Sequence, residues 1–320
     1  MDKYKILELL QETGGFFSGE AIAGALSVSR TAVSDAVGEL RREGYAIESR
    51  TKRGYRYIGG EDILNRYEIQ KLIPGYEIIY FSSVDSTNNA AKKIMGGGEK
   101  GNIIVIAENQ TGGRGRYGRS FFCREKKGLY FSLAESPPQV CVPGNEGFDL
   151  TIIPIIASLA VSEAVAGLTG LDVRIKWPND ILCGKKKLCG ILTEASVEAE
   201  SGRIKYYVVG IGINVHHTKE DFPEDIADVA TSIFLESGKT FERKLILASV
   251  VKLFKEFTAL PPSGIIEKYK KRLITDWKIT FHKNGAKYAG YISDVRENGN
   301  IAVQTDSGEV TLGSGEINFI

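Results

Sequence analysis

The chain has little of what would point its chemistry toward metals, redox or membranes. Four cysteines (Cys123, Cys141, Cys183 and Cys189) in 320 residues form no CxxC pair, and the three histidines (His216, His217 and His282) lie far from them in sequence. A zinc site is therefore not expected, and in a reducing compartment the cysteines read as free thiols. Charge of one sign is missing as well, with 41 basic residues against 40 acidic. Any contact with nucleic acid must then come from a local patch rather than from net charge. The opening Met1-Asp2-Lys3-Tyr4-Lys5 has no apolar signal core, which makes the cytoplasm the expected location. The one apolar stretch near membrane length, residues 151–168, contains Pro154, Ser158, Ser162 and Glu163 without flanking charge asymmetry. It reads as a buried core helix, and no membrane partner is expected.

What is present is a soluble globular composition, 42% hydrophobic and 25% charged, over a length that calls for two or three domains. The first 60 residues spell a winged helix-turn-helix. Ile6, Leu7 and Leu10 recur at helical spacing before Gly14-Gly15. Ser18 opens a second helix with Ala21, Ile22, Ala25 and Leu26 as its apolar face, and Ser29 caps a third with Val33, Val37 and Leu40 inward. The motif runs from Gly19 to Gly38. The solvent face of its third helix carries Arg30, Thr31, Ser34, Asp35 and Arg41, suited to base edges or phosphates. A hairpin then turns through Arg50-Thr51-Lys52-Arg53-Gly54. Residues 50–56 hold Arg50, Lys52, Arg53 and Arg56 with no acid, a wing able to neutralise DNA phosphates.

Gly59-Gly60-Glu61-Asp62 is the expected linker to a central module, residues 61–272. Strands are expected at 77–81, 103–107, 129–133, 173–176, 190–194 and 206–213, and helices at 88–95, 152–168 and 244–260, which makes a mixed α/β domain. Beyond it, residues 273–320 show short strands separated by Asn284-Gly285, Asn298-Gly299 and Ser307-Gly308, the pattern of a small β-barrel. The whole is an α+β multidomain chain.

Five clusters carry chemistry. Gly112-Gly113-Arg114-Gly115-Arg116-Tyr117-Gly118-Arg119 interleaves four glycines with three arginines, a loop suited to closing over anions. It matches the dinucleotide fingerprint and mimics a P-loop, but both need a helix after the glycines, and residues 119–128 are too short and poorly patterned for one. Lys176-Trp177-Pro178-Asn179-Asp180 ends a strand at a proline, so the polar pair projects from a corner. Lys185, Lys186 and Lys187 precede an apolar strand, and Lys187, next to the buried run, is the better anion contact. Gly210-Ile211-Gly212-Ile213-Asn214 is a strand whose glycines leave room for a ligand contacted by Asn214. Asp85-Ser86-Thr87-Asn88 opens a helix, where Ser86 or Thr87 also suits an ordinary N-cap. No serine, histidine and aspartate set suits a covalent nucleophile.

In this order, with Gln110 before the Gly-Arg loop, the clusters resemble the biotin protein ligases. The winged helix and the C-terminal barrel make the chain similar to their bifunctional ligase/repressor form. The resemblance implies a central domain like class II aminoacyl-tRNA synthetases and an SH3-like β-barrel at the C-terminus. It implies activation of biotin with ATP and Mg2+ to biotinyl-5′-AMP, then transfer to a lysine of a biotin carboxyl carrier protein, the acetyl-CoA carboxylase subunit. Catalytic roles would fall to Arg116, Arg119 and Lys187. Biotin would meet Ser86, Thr87, Asn88, Gln110, Arg114, Gly115, Arg116 and Lys187. ATP or the adenylate would meet Arg116, Arg119, Phe121, Lys176, Asn179, Asp180 and Asn214, with Asp180 either orienting a neighbour or helping to hold magnesium. The family often has tryptophan where Phe121 stands, and Tyr117 takes a position that is basic in some relatives. Repression of biotin genes is implied too, through a ligand-promoted homodimer on operator DNA. Two other readings stay open: a lipoate or octanoate ligase, and a non-enzymatic repressor sensing a small molecule.

Overall fold

The computed structural model describes residues 2–60, 62–98, 101–137, 150–200 and 202–320; Glu61 and Cys141 fall outside them. Helix α1 (Lys3–Thr13) starts where the Asp2 carboxylate accepts the Tyr4 amide and stops at Gly14 in the left-handed region. Ser18 and Ser29 cap α2 (Gly19–Leu26) and α3 (Arg30–Arg42), each hydroxyl accepting an amide three residues on, from Ala21 and Ala32. Ile6, Leu7, Leu10, Val33, Val37 and Leu40 are all buried as the periodicity requires. The second helix differs. Ala21 and Ala25 are exposed, and Ala23 packs beside Ile22 instead. In so short and apolar a helix, alanines on every side leave the buried face ambiguous from periodicity alone.

The wing is an antiparallel pair, β1 (Tyr45–Arg50) and β2 (Gly54–Gly60). The second strand runs through Gly59 and Gly60, so these glycines belong to the sheet rather than to a linker. The short helix α4 (Arg66–Leu72), unanticipated in the sequence, follows. One compact unit comprises Met1–Lys71 and Glu242–Lys244; the second comprises Leu72–Phe241 and Leu245–Ile320.

The second unit is built on a seven-stranded mixed sheet. Its elements in chain order are β3 (Glu77–Val84), α5 (Thr87–Gly96), β4 (Ile103–Gln110), β5 (Gly128–Glu135), α6 (Ile153–Thr169), β6 (Val173–Lys176), β7 (Asp180–Cys183), β8 (Lys186–Val197) and β9 (Ile204–Asn214). The strand order is β3-β4-β5-β9-β8-β7-β6, and only β3 and β4 pair in parallel, joined by the crossover helix α5. Strands β4 and β5 are buried along most of their length on both faces, and α5 packs on them. Helix α6 is buried from Ile153 to Val165 apart from its Pro154 and Glu163 positions, as a core helix should be. It packs on β6, β7 and β8 and against α9 (Pro262–Arg272), after α7 (Ile233–Ser237) and α8 (Arg243–Thr258).

A second, five-stranded antiparallel sheet closes the chain: β10 (Ile279–Lys283), β11 (Ala286–Val295), β12 (Ile301–Thr305), β13 (Gly308–Leu312) and β14 (Asn318–Phe319), in the order β13-β12-β11-β10-β14. Asn284 and Gly285, both at positive φ, make the two-residue turn between β10 and β11. This sheet is fastened to the larger one where Trp177 Nε1 donates to the Gly299 carbonyl at 3.0 Å and where Arg174 pairs with Asp276.

Candidate active site

Strand ends and two loops of the second unit form a partly open cleft lined by both polar and apolar side chains. At one end the polar group is neutral. Ser86 stands at the N-cap of α5, but its hydroxyl caps nothing. The Thr87 amide and hydroxyl donate instead to Gln110 Oε1 at 2.8 and 3.1 Å, tying the helix start to the end of β4. Asn88 is held from three sides: Ser132 Oγ donates to its Oδ1 at 2.6 Å, and its Nδ2 donates to Glu194 at 2.7 Å and to the Leu192 carbonyl. Burial pushes the Glu194 carboxyl up, yet Lys92 at 2.6 Å and the Asn88 amide hold it below its ordinary value. Ser132 and Glu194 lie in buried or half-buried strand positions, where nothing in a lone serine or glutamate distinguishes a support of the site from a filler of the fold.

At the other end the group is cationic. The Gly-Arg loop is anchored where Gly112 N donates to the Asp85 carbonyl and Phe121 N to the Gly113 carbonyl; it folds back through a single 3₁₀ turn at Arg116–Gly118. Gly113 is required there, since a methyl group would sit 2.6 Å from the Phe121 carbonyl. No helix follows Gly118 before β5 among the described residues, which disposes of the dinucleotide and P-loop readings. Arg116 donates to Asn179 Oδ1 at 3.1 Å, and Asn179 is fixed by donating to the Ile191 carbonyl. Lys187 Nζ lies 2.7 Å from Asp180 Oδ1. Lys176, across a cis Trp177–Pro178 peptide, is half-buried; burial pushes its ammonium toward the neutral form against the pull of Asp180 and Glu316. Arg114, Gly115, Tyr117 and Arg119 complete the loop side.

Three findings depart from the expectations. Asn214 does not line the cleft: it is buried and donates to the Thr231 carbonyl at 2.9 Å, so it stabilises the β9 exit. The strand glycines do not leave empty space. A methyl at Gly210 would meet Asn88 Oδ1 at 2.2 Å and one at Gly212 the Phe121 ring at 2.6 Å, so they seat two site residues. Arg119 is gripped at its two terminal guanidinium nitrogens, Nη1 and Nη2, by Glu316, at 2.6 and 2.7 Å. Glu316 and Ile317 come from the C-terminal sheet region and were invisible to sequence reasoning, because no motif links them to a loop some 200 residues earlier.

In the first unit Arg30, Thr31 and Ser34 are exposed on α3, as are Arg50, Lys52 and Arg53 on the wing. Arg41 is not free for DNA: its Nε and Nη2 both donate to the Ile47 carbonyl, bracing α3 against β1.

A model of the biotin/lipoate A/B protein ligase family matches residues 80–214, and one of an HTH domain matches residues 3–56. The bifunctional ligase/repressor BirA of Bacillus spizizenii is 35% identical over 256 residues, 78% of this chain and 76% of that protein. The chain belongs to the family of the bifunctional ligase/repressor BirA. Within that family the Escherichia coli protein is 29% identical over 251 residues, 78% of this chain and 74% of its own length. A solved structure, the biotin protein ligase of Aquifex aeolicus in complex with biotin and ATP, superposes with a TM-score of 0.63 at 30% identity, covering 76% of this chain and 98% of that one. The BirA name thus joins both halves of the sequence reading, the ligase domain and the helix-turn-helix, in one polypeptide.

Proposed function

We propose that this cleft joins biotin to protein. The chain is a biotin ligase: with MgATP it converts biotin to biotinyl-5′-AMP and pyrophosphate, then passes the biotinyl group to a lysine of a biotin carboxyl carrier protein. It is also a repressor of biotin genes. The observation that carries the enzymatic reading is the polarity of the cleft, with neutral hydrogen-bonding groups at one end and Lys176, Lys187, Arg116 and Arg119 at the other. Ser86, Thr87, Asn88 and Gln110 suit the uncharged ureido ring. The cations suit a carboxylate and a triphosphate that must meet despite repelling each other.

In the first step a biotin carboxylate oxygen attacks the α-phosphorus, and the bond to the β-phosphate oxygen breaks. Lys187 and Arg116 hold carboxylate and α-phosphate oxygens together, and Arg119 and Lys176 stabilise charge gathering on the departing pyrophosphate. Arg114 and Gly115 close the loop over biotin, and Phe121 covers the adenine with its ring face. Mg2+ bound with ATP would neutralise phosphate charge there, and Asp180, which pairs with Lys187 at the cationic end, is the carboxylate that would help to hold it. In the second step the acceptor amine attacks the acyl carbon and AMP leaves. No covalent enzyme intermediate is needed.

The finer reading has three modules, residues 1–60, 61–272 and 273–320, the central one like class II aminoacyl-tRNA synthetases and the last an SH3-like barrel. It also has a cytoplasmic homodimer, promoted by the adenylate, whose paired winged domains bind operator DNA through residues 19–38 and the basic wing. Incubation with biotin, MgATP and an acceptor domain tests the ligase: the acceptor should gain the mass of one biotinyl group. Transfer of lipoate in preference to biotin, or no transfer, overturns it.

A further inference from the structure

In the first unit three guanidinium groups converge on one aromatic ring. The centre of the Phe16 ring lies 5.1 Å from the Arg50 guanidinium carbon, 4.6 Å from that of Arg53 and 4.9 Å from that of Arg56. The ring is locked to the wing by backbone: Phe17 N donates to the Tyr55 carbonyl at 2.8 Å and Tyr55 N to the Phe17 carbonyl at 2.9 Å. Gly54, at a φ of +96°, permits this approach, because a methyl there would lie 2.1 Å from the Phe17 carbonyl oxygen. The wing and the turn before α2 therefore move as one piece.

Three like charges around a single ring are unfavourable for folding by themselves, and among the described residues Glu48 is the acid that compensates. Glu48 accepts from Arg50 Nε and Arg56 Nη2, each at 2.6 Å. Arg53 has no acidic partner among the described residues, and Lys52 stands exposed beside it at the tip. The negative face of the ring attracts each guanidinium and restrains side chains that would otherwise lose several rotamers on binding. What remains is a rigid cluster of forked donors whose excess charge faces solvent, the arrangement suited to a backbone phosphate of duplex DNA.

We infer that Phe16 is a positioning residue, which pre-organises Arg50, Arg53 and Arg56 into a clamp for a DNA backbone phosphate. The inference rests on the DNA-binding reading of the first unit and adds to it a residue that itself touches no base.

The test uses the full-length chain and a fluorescein-labelled duplex of arbitrary sequence, about 30 base pairs long, because the phosphate contribution is independent of sequence. Anisotropy titrations at about 50 to 200 mM salt compare wild type with Phe16→Leu, Phe16→Tyr and Arg53→Gln. Each exposed cation–ring contact is worth about two- to fivefold, so Phe16→Leu should bind about tenfold more weakly. Its salt slope should match wild type, since the cations remain. Phe16→Tyr, which keeps the ring face, should restore affinity to within about twofold, and Arg53→Gln should flatten the slope by about one phosphate contact. Formation of biotinyl-5′-AMP should be unchanged in all three. Wild-type affinity in Phe16→Leu, or equal weakening in Phe16→Leu and Phe16→Tyr, overturns the clamp alone. Failure of the wild type to bind the duplex overturns the DNA reading and the clamp with it.

Discussion

Replacing Lys187 with methionine separates the cleft's chemistry from its stability. The backbone of Lys187 is pinned on both sides, its amide donating to the Val229 carbonyl at 2.7 Å and its carbonyl accepting from Thr231 at 2.9 Å, so the variant keeps the strand. Its ammonium meets Asp180 at 2.7 Å, with side chains 39% and 21% exposed. A pair that open to solvent contributes about 0.2–1 kcal/mol, which for a unit of this size moves the melting temperature by no more than about 3 °C. The same ammonium, held against an oxygen that gathers charge in the transition state, is worth about 10²–10³ in rate. Adenylation, followed as pyrophosphate release from biotin and MgATP in a single turnover, should therefore fall at least about a hundredfold while the fold survives. Part of the loss would come from Asp180, left facing the biotin carboxylate without its partner. Lys187→Met combined with Asp180→Asn should recover that part, and the double-mutant cycle measures it. Near-normal pyrophosphate release in Lys187→Met would refute the assignment of Lys187 to the reacting carboxylate.

Three further outcomes are expected. Gly210→Ala drives a methyl against Asn88 Oδ1 and should displace that side chain from Ser132 and Glu194, raising the KM for biotin well above that for ATP; equal changes in both would remove Asn88 from the biotin end. His217 is fully buried against Phe222, and burial pushes its pKa down to about 4 from an ordinary 6.5. The unfolded chain takes up a proton in that window that the fold refuses, so stability is complete above pH 6.5 and falls by up to about 3 kcal/mol toward pH 4. Denaturant melts at stepped pH should show this slope in wild type and lose it in His217→Phe. The Cys123 and Cys183 thiols are both pushed up to about 11 by burial, so native-state alkylation at about pH 8 should modify them roughly a hundredfold more slowly than a free cysteine, as peptide mapping would detect.

Much of this was legible in the chain. Helix and strand periods in the first unit located α1, α3 and the wing, because caps at Ser18 and Ser29 and turn glycines coincide with the hydrophobic pattern there. The short elements α4, β7 and α7 escaped: four- to seven-residue segments complete too few turns or alternations to show a period, and tertiary packing decides them. Within the site, motif residues close in sequence were found and supports distant in sequence were not. Thr87, Asn88, Gln110 and Arg119 stand in recognisable company, whereas Ser132 and Glu194 reach Asn88 only through sheet register, and Glu316 reaches Arg119 only through the placement of the C-terminal region. Asn214 misled because a glycine-rich strand ending in asparagine reads as a ligand contact. Whether that amide turns toward the cleft or the Thr231 carbonyl is set by a loop 17 residues away.

The oxygen partners of the cations explain how an exposed glycine-rich loop becomes a defined anion site. Arg116 rests on the Asn179 amide oxygen, Lys187 on Asp180 and Arg119 on Glu316, three acceptors carried by two segments, the corner at Asn179-Asp180 and the C-terminal region. Each contact aims a flexible cation into the same cleft, so the donor set is assembled before a substrate oxygen arrives. A phosphate or carboxylate oxygen is the same kind of acceptor and can replace these partners in turn without moving the loop's anchors at Gly112 and Gly113. Exchange at Arg119 has a further consequence, because its partner belongs to the C-terminal sheet. A phosphate that takes over the guanidinium releases Glu316 and so registers its presence in the sheet fastened at Trp177 and Gly299. On the proposed reading of the cleft, this bidentate ion pair would couple the C-terminal region to the occupancy of the nucleotide end, and Glu316→Gln, which weakens that pair while keeping its shape, should alter ATP binding more than biotin binding in calorimetric titrations. Equal effects on the two ligands would mean that Glu316 supports the cleft as a whole and reports nothing about phosphate.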